Sequence, residues 1–444
     1  MRNFVLAASA LMLGSSSVVA GGYLTNTNQN AAFLRNVARN ASMEIDAAYS
    51  NPAGLVFLED GFHFSLNGQS AYQTRDIEAT FPLFGYRGDK NNTRLYEGEA
   101  SAPIVPSLQA AYKKGDWVVS GNFAITGGGG KCSFDQGLPS FDALVMAGIY
   151  QQTTQMTGGA LSVTPDMYDI RTSMYGRQYI YGLQLGLTYQ PLPNLGVYVG
   201  GRMNYYTGSY NGYVRAEGKP GVLPDPIAQA LPDMSLDVDQ KGWGLTPIIG
   251  LDYKWGKLNL GFKCEFGTNL NIENDTHENT TGMDLFKDGY STPNDLPAIV
   301  SLGAQYEILP SVRVMGGYMH YFDSDAGMAN DKQEYLSHGT NELQFGAEWD
   351  ITDKLLVSAG IQNTDYGMQD EFQSDLSFSC DSYSVGFGAK LKFNSHLSVN
   401  VAYFFTNYED YTKETDNYAG TGLKGKDVFS RTNKVFGLGI DYSF

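Results

Sequence analysis

Large apolar residues alternate with small or polar residues along much of the chain. In the C-terminal segment the large apolar set is Phe436, Leu438, Ile440, Tyr442 and Phe444. Gly, Asp and Ser fill the positions between them. A period of two is typical of a β-strand with two unlike faces. In a soluble sandwich the apolar face would meet a core, whereas in a membrane barrel it would meet lipid.

Alternation and turn signals together predict about fourteen strands. They lie near 61–73, 105–113, 116–126, 178–190, 194–207, 242–255, 258–270, 296–308, 311–322, 341–350, 354–364, 382–393, 396–407 and 433–444. The minor faces carry Gly, Ser, Lys, Glu, Gln and Asn in strand after strand. A wide polar interior and a lipid-facing outer surface account for both faces, so Phe436 to Phe444 are expected to point outward.

The connections between these strands alternate strictly between short turns and long loops. Short turns lie at 113–116, 191–194, 255–257, 309–310, 352–353 and 394–395. Long polar loops lie near 74–104, 127–177, 208–241, 271–295, 323–340, 365–381 and 408–432. Short periplasmic turns, long external loops and an even strand count are typical of single-chain outer-membrane barrels. The pattern therefore predicts an all-β, transmembrane, antiparallel β-barrel over residues 61–444.

The N-terminus predicts export of the chain. Arg2 precedes an apolar run from Phe4 to Leu13, and small residues end at Ala20. This is the pattern of a secretory signal peptide at 1–20, cleaved after Ala20. No later stretch reaches the roughly 18 to 20 apolar residues that a membrane helix needs.

The net charge and the histidine positions limit the kinds of partner that the chain could bind. The formal net charge of −17 argues against nucleic acid, whose phosphates would be repelled. The five His residues are scattered without metal-ligand spacing, so neither a metal nor a cofactor is expected. The acidic run at 274–279 is a candidate for divalent cations that bridge lipopolysaccharide, although a solvated loop explains it better.

Three cysteines form no disulfide framework. Cys264 falls on an apolar strand face. Cys132 and Cys380 fall in predicted loops and could pair in an oxidising compartment, but the sequence does not place those loops side by side.

Residues 21–60 precede the first strand and do not alternate. Small residues with helical spacing end at Asn51-Pro52, where the chain must turn because proline cannot continue a helix. A compact element ahead of a closed barrel is most economically placed inside it. We therefore predict an N-terminal hatch, or plug, at 21–60.

Three segments resemble the FadL-type outer-membrane transporters of long-chain fatty acids and other hydrophobic compounds. They are DAAYSNPAGL at 46–55, GWGLTPIIGLDY at 242–253 and DLPAIVSLGAQY at 295–306. The strand count and the terminal Phe444, which looks like a signal for the barrel-insertion machinery, add to the resemblance. These motifs cover about a tenth of the chain, and the similarity in architecture extends over the rest of the mature chain.

The resemblance implies a monomeric, hatch-plugged barrel. Hydrophobic ligand would be captured among the outer loops, held in a lumen pocket and released by hatch movement through a lateral gap. Asn51, Pro52 and Ala53 would belong to the hatch. The loop 208–241 looks like the partly helical loop that shapes the capture groove, with the apolar candidates Val222, Leu223, Ile227, Leu231 and Met234.

A basic lumen residue could hold the carboxylate of a fatty acid. Arg202, Lys263 and Arg313 are candidates because strand parity points them inward. The alternative is that each forms an internal salt bridge. The acidic residues available for it are Glu265, Glu342 and Glu348.

Two enzyme hypotheses are weak. The sequence GGGGKCS at 127–133 lacks the first Gly and the Ser or Thr of a phosphate-binding loop, so a flexible external loop is the better interpretation. His63-Phe64-Ser65 and His396-Leu397-Ser398 resemble the His-x-Ser pair of outer-membrane phospholipases, but both lie at predicted periplasmic strand ends. We expect no enzymatic activity.

The sequence therefore predicts an outer-membrane channel for passive uptake of hydrophobic small molecules, long-chain fatty acids first. Its other partners would be outer-membrane lipid and lipopolysaccharide. Alternatives are transport of aromatic hydrocarbons, a surface adhesin or binding protein built on a barrel, and a general porin. The hatch argues against the porin, since an open pore has no use for one.

Overall fold

A computed structural model describes residues 25–157, 163–229 and 233–444 as a closed antiparallel β-barrel. Fourteen strands form its wall in these residues: β1 Gly61–Thr80, β2 Thr93–Lys114, β3 Trp117–Phe134, β4 Tyr168–Leu192, β5 Leu195–Gly218, β6 Met234–Trp255, β7 Leu258–Glu265, β10 Ile299–Leu309, β11 Val312–Tyr321, β12 Asn341–Thr352, β13 Leu355–Asp365, β14 Ser382–Lys392, β15 Leu397–Tyr408 and β17 Gly425–Ser443. Three short strands extend the sheet from the loops: β8 Asn271–Asn279, β9 Ser291–Pro293 and β16 Tyr411–Thr415.

The first and last strands close the sheet. β1 pairs with β17 from His63 opposite Ser443 to Thr80 opposite Lys426. The other wall strands pair with their neighbours in chain order, and β7 pairs with β10 where β8 and β9 leave the wall. This closure confirms the predicted fold and satisfies the backbone groups of both edge strands.

The two faces of each strand differ as the alternation predicts. In β17 the apolar set is exposed on the outer surface, with Phe436 at 53% and Leu438 at 46%, whereas Gly437 and Gly439 face inward and contact the N-terminal segment. The lumen face of the wall carries buried polar side chains such as Gln109, Asn122 and Gln344.

Several strands are longer than the sequence pattern predicts. β4 begins at Tyr168, β5 continues to Gly218 and β6 begins at Met234. The predicted loop at 208–241 is therefore wrong over most of its length, and GGGGKCS lies within β3 instead of in a flexible loop. The reason is that these extensions pass beyond the apolar outer band, where outward residues such as Asp169 and Arg171 are polar and the contrast between the faces is lost.

The barrel end that carries the long loops, here the long-loop end, is covered by a packed apolar cluster. Helix α3 (Pro139–Thr157) contributes to it together with loops and strand extensions. Buried members of this cap include Phe81, Phe84, Phe141, Met146, Met283 and Phe378. A second short helix, α4 (Asp225–Ala228), lies between β5 and β6.

The N-terminal segment lies inside the barrel. It contains α1 (Ala31–Arg35), α2 (Ala47–Ser50) and a 3₁₀ turn at Pro52–Phe57. Asn30 caps α1, because its Oδ1 accepts a hydrogen bond from the Phe33 amide at 2.8 Å. Nearly every described residue before Phe57 is buried, so we call residues 25–58 the hatch.

The predicted signal peptide and residues 21–24 lie outside the described residues. In the described part of the chain, no helix is long and apolar enough to span a membrane. Cys132, Cys264 and Cys380 are all free thiols, so the pairing considered for Cys132 and Cys380 is absent from this structure.

Candidate functional site

The hatch fits closely against the lumen wall. Phe33 and Leu34 of its first helix, together with Val37 just beyond it, pack on β15 and β17 against Ala402, Phe404 and Val435. A Cβ added at Gly386 would collide with the Leu34 carbonyl oxygen, and one added at Gly261 would collide with the Asn40 carbonyl oxygen. Glycine at these inward positions lets the hatch backbone approach the wall directly.

Ion pairs tie the hatch to the wall. Arg35 Nη1 lies 2.6 Å from Glu348 Oε1, and Arg39 Nη1 lies 3.0 Å from the same oxygen. Arg313 on β11 contacts the other Glu348 oxygen at 3.2 Å. Glu348 is thus a wall carboxylate shared by three guanidinium groups, two of which belong to the hatch.

Two hatch carboxylates extend this network. Asp46 accepts from Arg39 at 2.7 and 2.8 Å, which holds α2 to the segment before it. Glu44 lies 3.1 Å from Arg39 and 3.4 Å from Lys390 of β14. Burial by itself would raise the pKa of Glu44, but Lys390 and the two hatch arginines outweigh it and hold the pKa well below its ordinary value.

The residues Asn51, Pro52 and Ala53 lie in the hatch near its end, against β4 and β6. Asn51 Nδ2 donates to the Leu251 carbonyl at 3.0 Å and to Asp252 Oδ2 at 3.1 Å. The Pro52 carbonyl accepts from Thr188 Oγ1 at 3.0 Å, and Ala53 is fully buried. The turn predicted at Asn51-Pro52 is present, because α2 ends at Ser50 and Pro52 begins the 3₁₀ turn.

The wall is interrupted between β2 and β3. Ala100 pairs with Cys132 and Ser107 pairs with Ala124, but the residues between these two pairs are not paired with each other. β2 carries Pro103 and Pro106 in this stretch, and proline has no N–H to donate. β3 carries a glycine run in which Gly128 and Gly130 have positive φ of 92° and 67°. We call this interruption the wall gap.

A chamber lies behind the wall gap. Its lining includes Ser101 and Val105 of β2, Gly128 of β3, and Asn26 and Asn28 of the hatch. Its volume is about 60 Å³, enough for a few water molecules and well below the roughly 300 Å³ of a small-molecule pocket. In this structure the chamber is therefore too small to hold an organic ligand.

The hatch replaces β2 as a partner of β3 at the wall gap. Thr25 forms a β-bridge with Gly127, and the Asn26 amide donates to the Thr126 carbonyl at 2.8 Å. On the opposite strand Ser107 Oγ donates to the Gln29 carbonyl. Residues 25–29 of the hatch therefore contact both strands that border the wall gap.

The three predicted lumen cations all face inward and all form ion pairs. Arg202 pairs with Glu265. Lys263 Nζ lies 2.8 Å from Glu265 and donates to the Tyr49 carbonyl of the hatch at 3.0 Å. Arg313 pairs with Glu348 and with Asp350 at 2.7 Å. These contacts fit the salt-bridge alternative weighed from the sequence, although Glu342 is not among the partners and instead accepts from Tyr321, Gln362 and Thr364.

The apolar candidates of the β5–β6 connection do not line one open groove. Ile227 and Met234 are buried in the cap, and Leu223 packs at its edge. Val222 is 51% exposed, and Leu231 lies outside the described residues. Among the described residues of this connection, helix is limited to the four residues of α4.

Contacts at the short-turn end of the barrel involve the termini and the histidines. Phe444 exchanges backbone hydrogen bonds with Phe62 at 2.7 and 2.9 Å, and its role as an insertion signal stays a prediction. His63 contacts Ser443 at 2.9 Å, not Ser65, which donates to Asp441 at 2.7 Å. Among the described residues no group of three or more His, Cys, Asp or Glu could hold a metal ion.

Sequence reasoning missed the hatch arginines and the wall gap. Arg35 ends α1 and Arg39 lies beyond it, so their spacing of four residues in the sequence does not indicate that both reach Glu348. The wall gap did leave a signal, since two prolines on β2 and a glycine run on β3 are both unfavourable in a central strand.

The fold matches that of known barrels over nearly the whole chain. A Pseudomonas aeruginosa FadL homologue is similar with a TM-score of 0.67 and 16% identity, covering 96% of this chain and 100% of the other. The P. putida toluene transporter TodX has a TM-score of 0.54 and 16% identity over 90% and 94% of the two chains. The Ralstonia pickettii toluene transporter TbuX has a TM-score of 0.54 and 12% identity over 95% and 96%.

Searches of protein-family profiles and of curated proteins give no match to this chain. The structural neighbours confirm the FadL-type fold expected from the sequence motifs. At identities of 12% to 16% the likeness establishes the fold alone.

Proposed function

We propose that the protein is an outer-membrane channel for the passive uptake of hydrophobic small molecules. One observation carries the proposal: a hatch packs inside the lumen of a closed barrel and also pairs with β3 at an interruption of the wall. The apolar outer face of the strands suits a membrane, and an interior filled by the hatch does not suit a general porin.

The route begins at the cap, where apolar ligand would displace apolar side chains at the long-loop end. Each buried methylene gains roughly 0.8 kcal/mol on leaving water, which compensates for opening the cap. The ligand would then pass to the chamber as residues 25–29 of the hatch move. It would leave through the wall gap into the membrane, and we expect the protein to act as a monomer.

Long-chain fatty acids are the first candidate substrates. Monoaromatic hydrocarbons are the second candidate, because two structural neighbours are described as toluene transporters. The two classes differ in charge, since only the fatty acid carries a carboxylate.

Uptake by intact cells tests the proposal. Cells that lack their own transporter would express the protein at a measured surface level and receive radiolabelled oleate or toluene. Saturable uptake of either compound above the level of empty-vector cells is expected. Uptake of neither by correctly inserted barrels would overturn the proposal, and so would a steady, large ion current through single channels.

A further inference from the structure

A groove lies on the outer face of the barrel, at the long-loop ends of the short wall strands β7, β10 and β11. Cys264 of β7 and Val300 of β10 line it. On β7 the two neighbours of Cys264, Lys263 and Glu265, are buried in the lumen, so Cys264 faces the opposite side of the wall. This part of the lining therefore belongs to the outer, lipid-facing surface. We call the depression the outer groove.

The outer groove is large enough for an organic ligand. Its volume is about 440 Å³, whereas the chamber behind the wall gap has about 60 Å³. Small-molecule pockets typically have roughly 300 to 1,000 Å³. The rest of its lining comes from residues within 267–269, 295–298 and 322–326, which adjoin the three strand ends.

Backbone hydrogen bonds hold these segments together. Thr268 and Leu296 exchange two of them, each at 2.9 Å. The Asp295 amide donates to the Gly327 carbonyl at 2.8 Å, which joins the segment before β10 to the segment after β11. The walls of the outer groove are therefore formed before any ligand arrives, and binding would not have to order them.

The charged part of the lining is acidic. In the described part of the chain, Asp295 and Asp325 line the outer groove and no basic residue does. Asp295 Oδ1 accepts from the Leu270 amide at 2.8 Å, and neither carboxylate has an ion-pair partner among the described residues. Two carboxylates beside an apolar, lipid-facing surface attract a cation that is attached to an apolar chain.

We propose that the outer groove binds an amphiphile with an ammonium head group, which reaches it from the membrane. The ammonium would donate charge-assisted hydrogen bonds to Asp295 and Asp325. The chain would extend along Val300 and the exposed Leu302 on the outer face of β10. Because lipid also surrounds an apolar chain, the selectivity of the site comes from the head group. The inference does not depend on the proposed uptake, since the outer groove lies outside the lumen.

Binding of two ligands that differ only in the head group tests the inference. Purified full-length protein in a nonionic detergent would be titrated calorimetrically with dodecylammonium and with 1-dodecanol at neutral pH. Dodecylammonium is expected to bind roughly tenfold more tightly, and this preference should fall at high salt. Equal affinities for the two compounds would overturn the inference without reference to any variant.

Variants without the charges locate the preference. Asp325→Asn and Asp295→Asn should each reduce it to roughly threefold or less and leave dodecanol binding unchanged. Asp288→Asn is the matched control, because Asp288 lies in the same connection between β7 and β10 and also accepts from a backbone amide, that of Thr276 at 3.1 Å. An unchanged preference in both groove variants would contradict the inference. A lost preference in the control would contradict it as well.

Alkylation of Cys264 by N-ethylmaleimide shows directly whether the ligand occupies the outer groove. Cys264 is a free thiol in the lining, and mass spectrometry of its peptide measures the modified fraction. Saturating dodecylammonium should slow this alkylation by roughly threefold or more, whereas methylammonium should not, because it has no chain to cover the thiol.

Three outcomes of the alkylation experiment would contradict the inference. Unchanged alkylation at a saturating dodecylammonium concentration would place the ligand elsewhere. Equal protection by methylammonium would show that a free cation occupies the site without a chain. A Cys264 thiol that does not react in the ligand-free protein would show that the outer groove is not open to a ligand.

Discussion

Arg35 Nη1 in the hatch lies 2.6 Å from Glu348 Oε1 in the barrel wall, and both side chains are buried. The two residues are far apart in sequence, so the contact exists only when the hatch is seated in the lumen. Because Glu348 also accepts from Arg39 and Arg313, it is the main electrostatic anchor between the hatch and β12.

Glu348→Gln removes the negative charge that three arginines share, and it nearly preserves the volume of the side chain. Breaking a buried ion pair leaves uncompensated cations and costs about 3 to 5 kcal/mol. We expect faster hydrogen exchange at residues 31–46 and a lower free energy of unfolding in urea. Glu217→Gln, which removes half of an exposed pair with Arg171, should change the free energy of unfolding by less than about 1 kcal/mol. Equal effects of the two variants would contradict the anchoring role.

Gly386→Ala tests how closely the hatch meets the wall. The added Cβ would collide with the Leu34 carbonyl, and since a backbone atom cannot rotate away, α1 must shift at a cost of roughly 1 to 3 kcal/mol. Hydrogen exchange in α1 should accelerate. Gly68→Ala is the control, because its Cβ would meet no atom within 4 Å. Unchanged exchange in Gly386→Ala would mean that the hatch is seated less closely than described.

Ala102→Phe tests whether the chamber is on the transport route. Ala102 lines the chamber, which holds only about 60 Å³, so a phenyl ring would fill it. We expect oleate uptake to fall to a tenth or less of the unmodified rate at equal surface expression. Ala304→Phe adds the same ring on β10, away from the chamber, and should leave uptake intact. Normal uptake in Ala102→Phe would exclude the chamber from the route.

The packing of the loop that carries Lys332, at the long-loop end, should depend on pH. Its Nζ donates to Ser377 Oγ at 2.9 Å and lies 4.2 Å from the Phe372 ring centroid. Burial, with a smaller effect of Lys413, lowers the pKa of Lys332 to about 7. Between pH 7 and the ordinary lysine pKa near 10.4, the detached loop binds more protons than the packed loop, so packing strengthens as pH rises through this window.

Hydrogen exchange at 329–335 measures this pH dependence. After correction for the intrinsic effect of pH on exchange, protection should increase from pH 7 to pH 9.5. Lys332→Met keeps the apolar stem but cannot titrate, so its protection should stay flat over the same range. A parallel rise in both proteins would assign the dependence to another group.

Much of the barrel could be predicted from sequence because each strand that crosses the lipid has an apolar outer face and a small or polar lumen face. The strand from Ser382 to Lys392 was found within one residue at its end, since its outer apolar residues alternate with glycine and lysine. For strands that continue beyond the apolar outer band, the predicted bounds were too short. In the extension of β4 that begins at Tyr168, the outward residues Asp169 and Arg171 are polar, so alternation carries no information there.

The candidate site was less predictable because its residues are distant in sequence and come together only in the folded barrel. Strand parity placed Arg202 and Lys263 inside, but it could not show that both reach Glu265. The pairing of β1 with β17 depends on barrel closure, which joins the two ends of the chain. The helix α3 was missed because its apolar residues surround it instead of forming one stripe, as expected for a helix buried in the cap.

If transport requires the hatch to move, a reversible cross-link between the hatch and the wall must stop uptake. A Cβ built at Gly437 of β17 lies 3.6 Å from the Ala31 Cβ of the hatch, close to the mean Cβ separation of about 3.8 Å in disulfides. Only the end of the Leu34 side chain must shift to admit it. Ala31→Cys and Gly437→Cys would be combined in a chain whose three native cysteines are replaced by alanine.

Oleate uptake would be measured before and after oxidation, and again after reduction with dithiothreitol, with each single cysteine variant as a control. We expect the oxidised double variant to lose uptake, reduction to restore it, and the single variants to transport under all conditions. Full uptake through a barrel whose cross-link is complete would show that the substrate passes without displacing the hatch, and transport would then not require hatch movement.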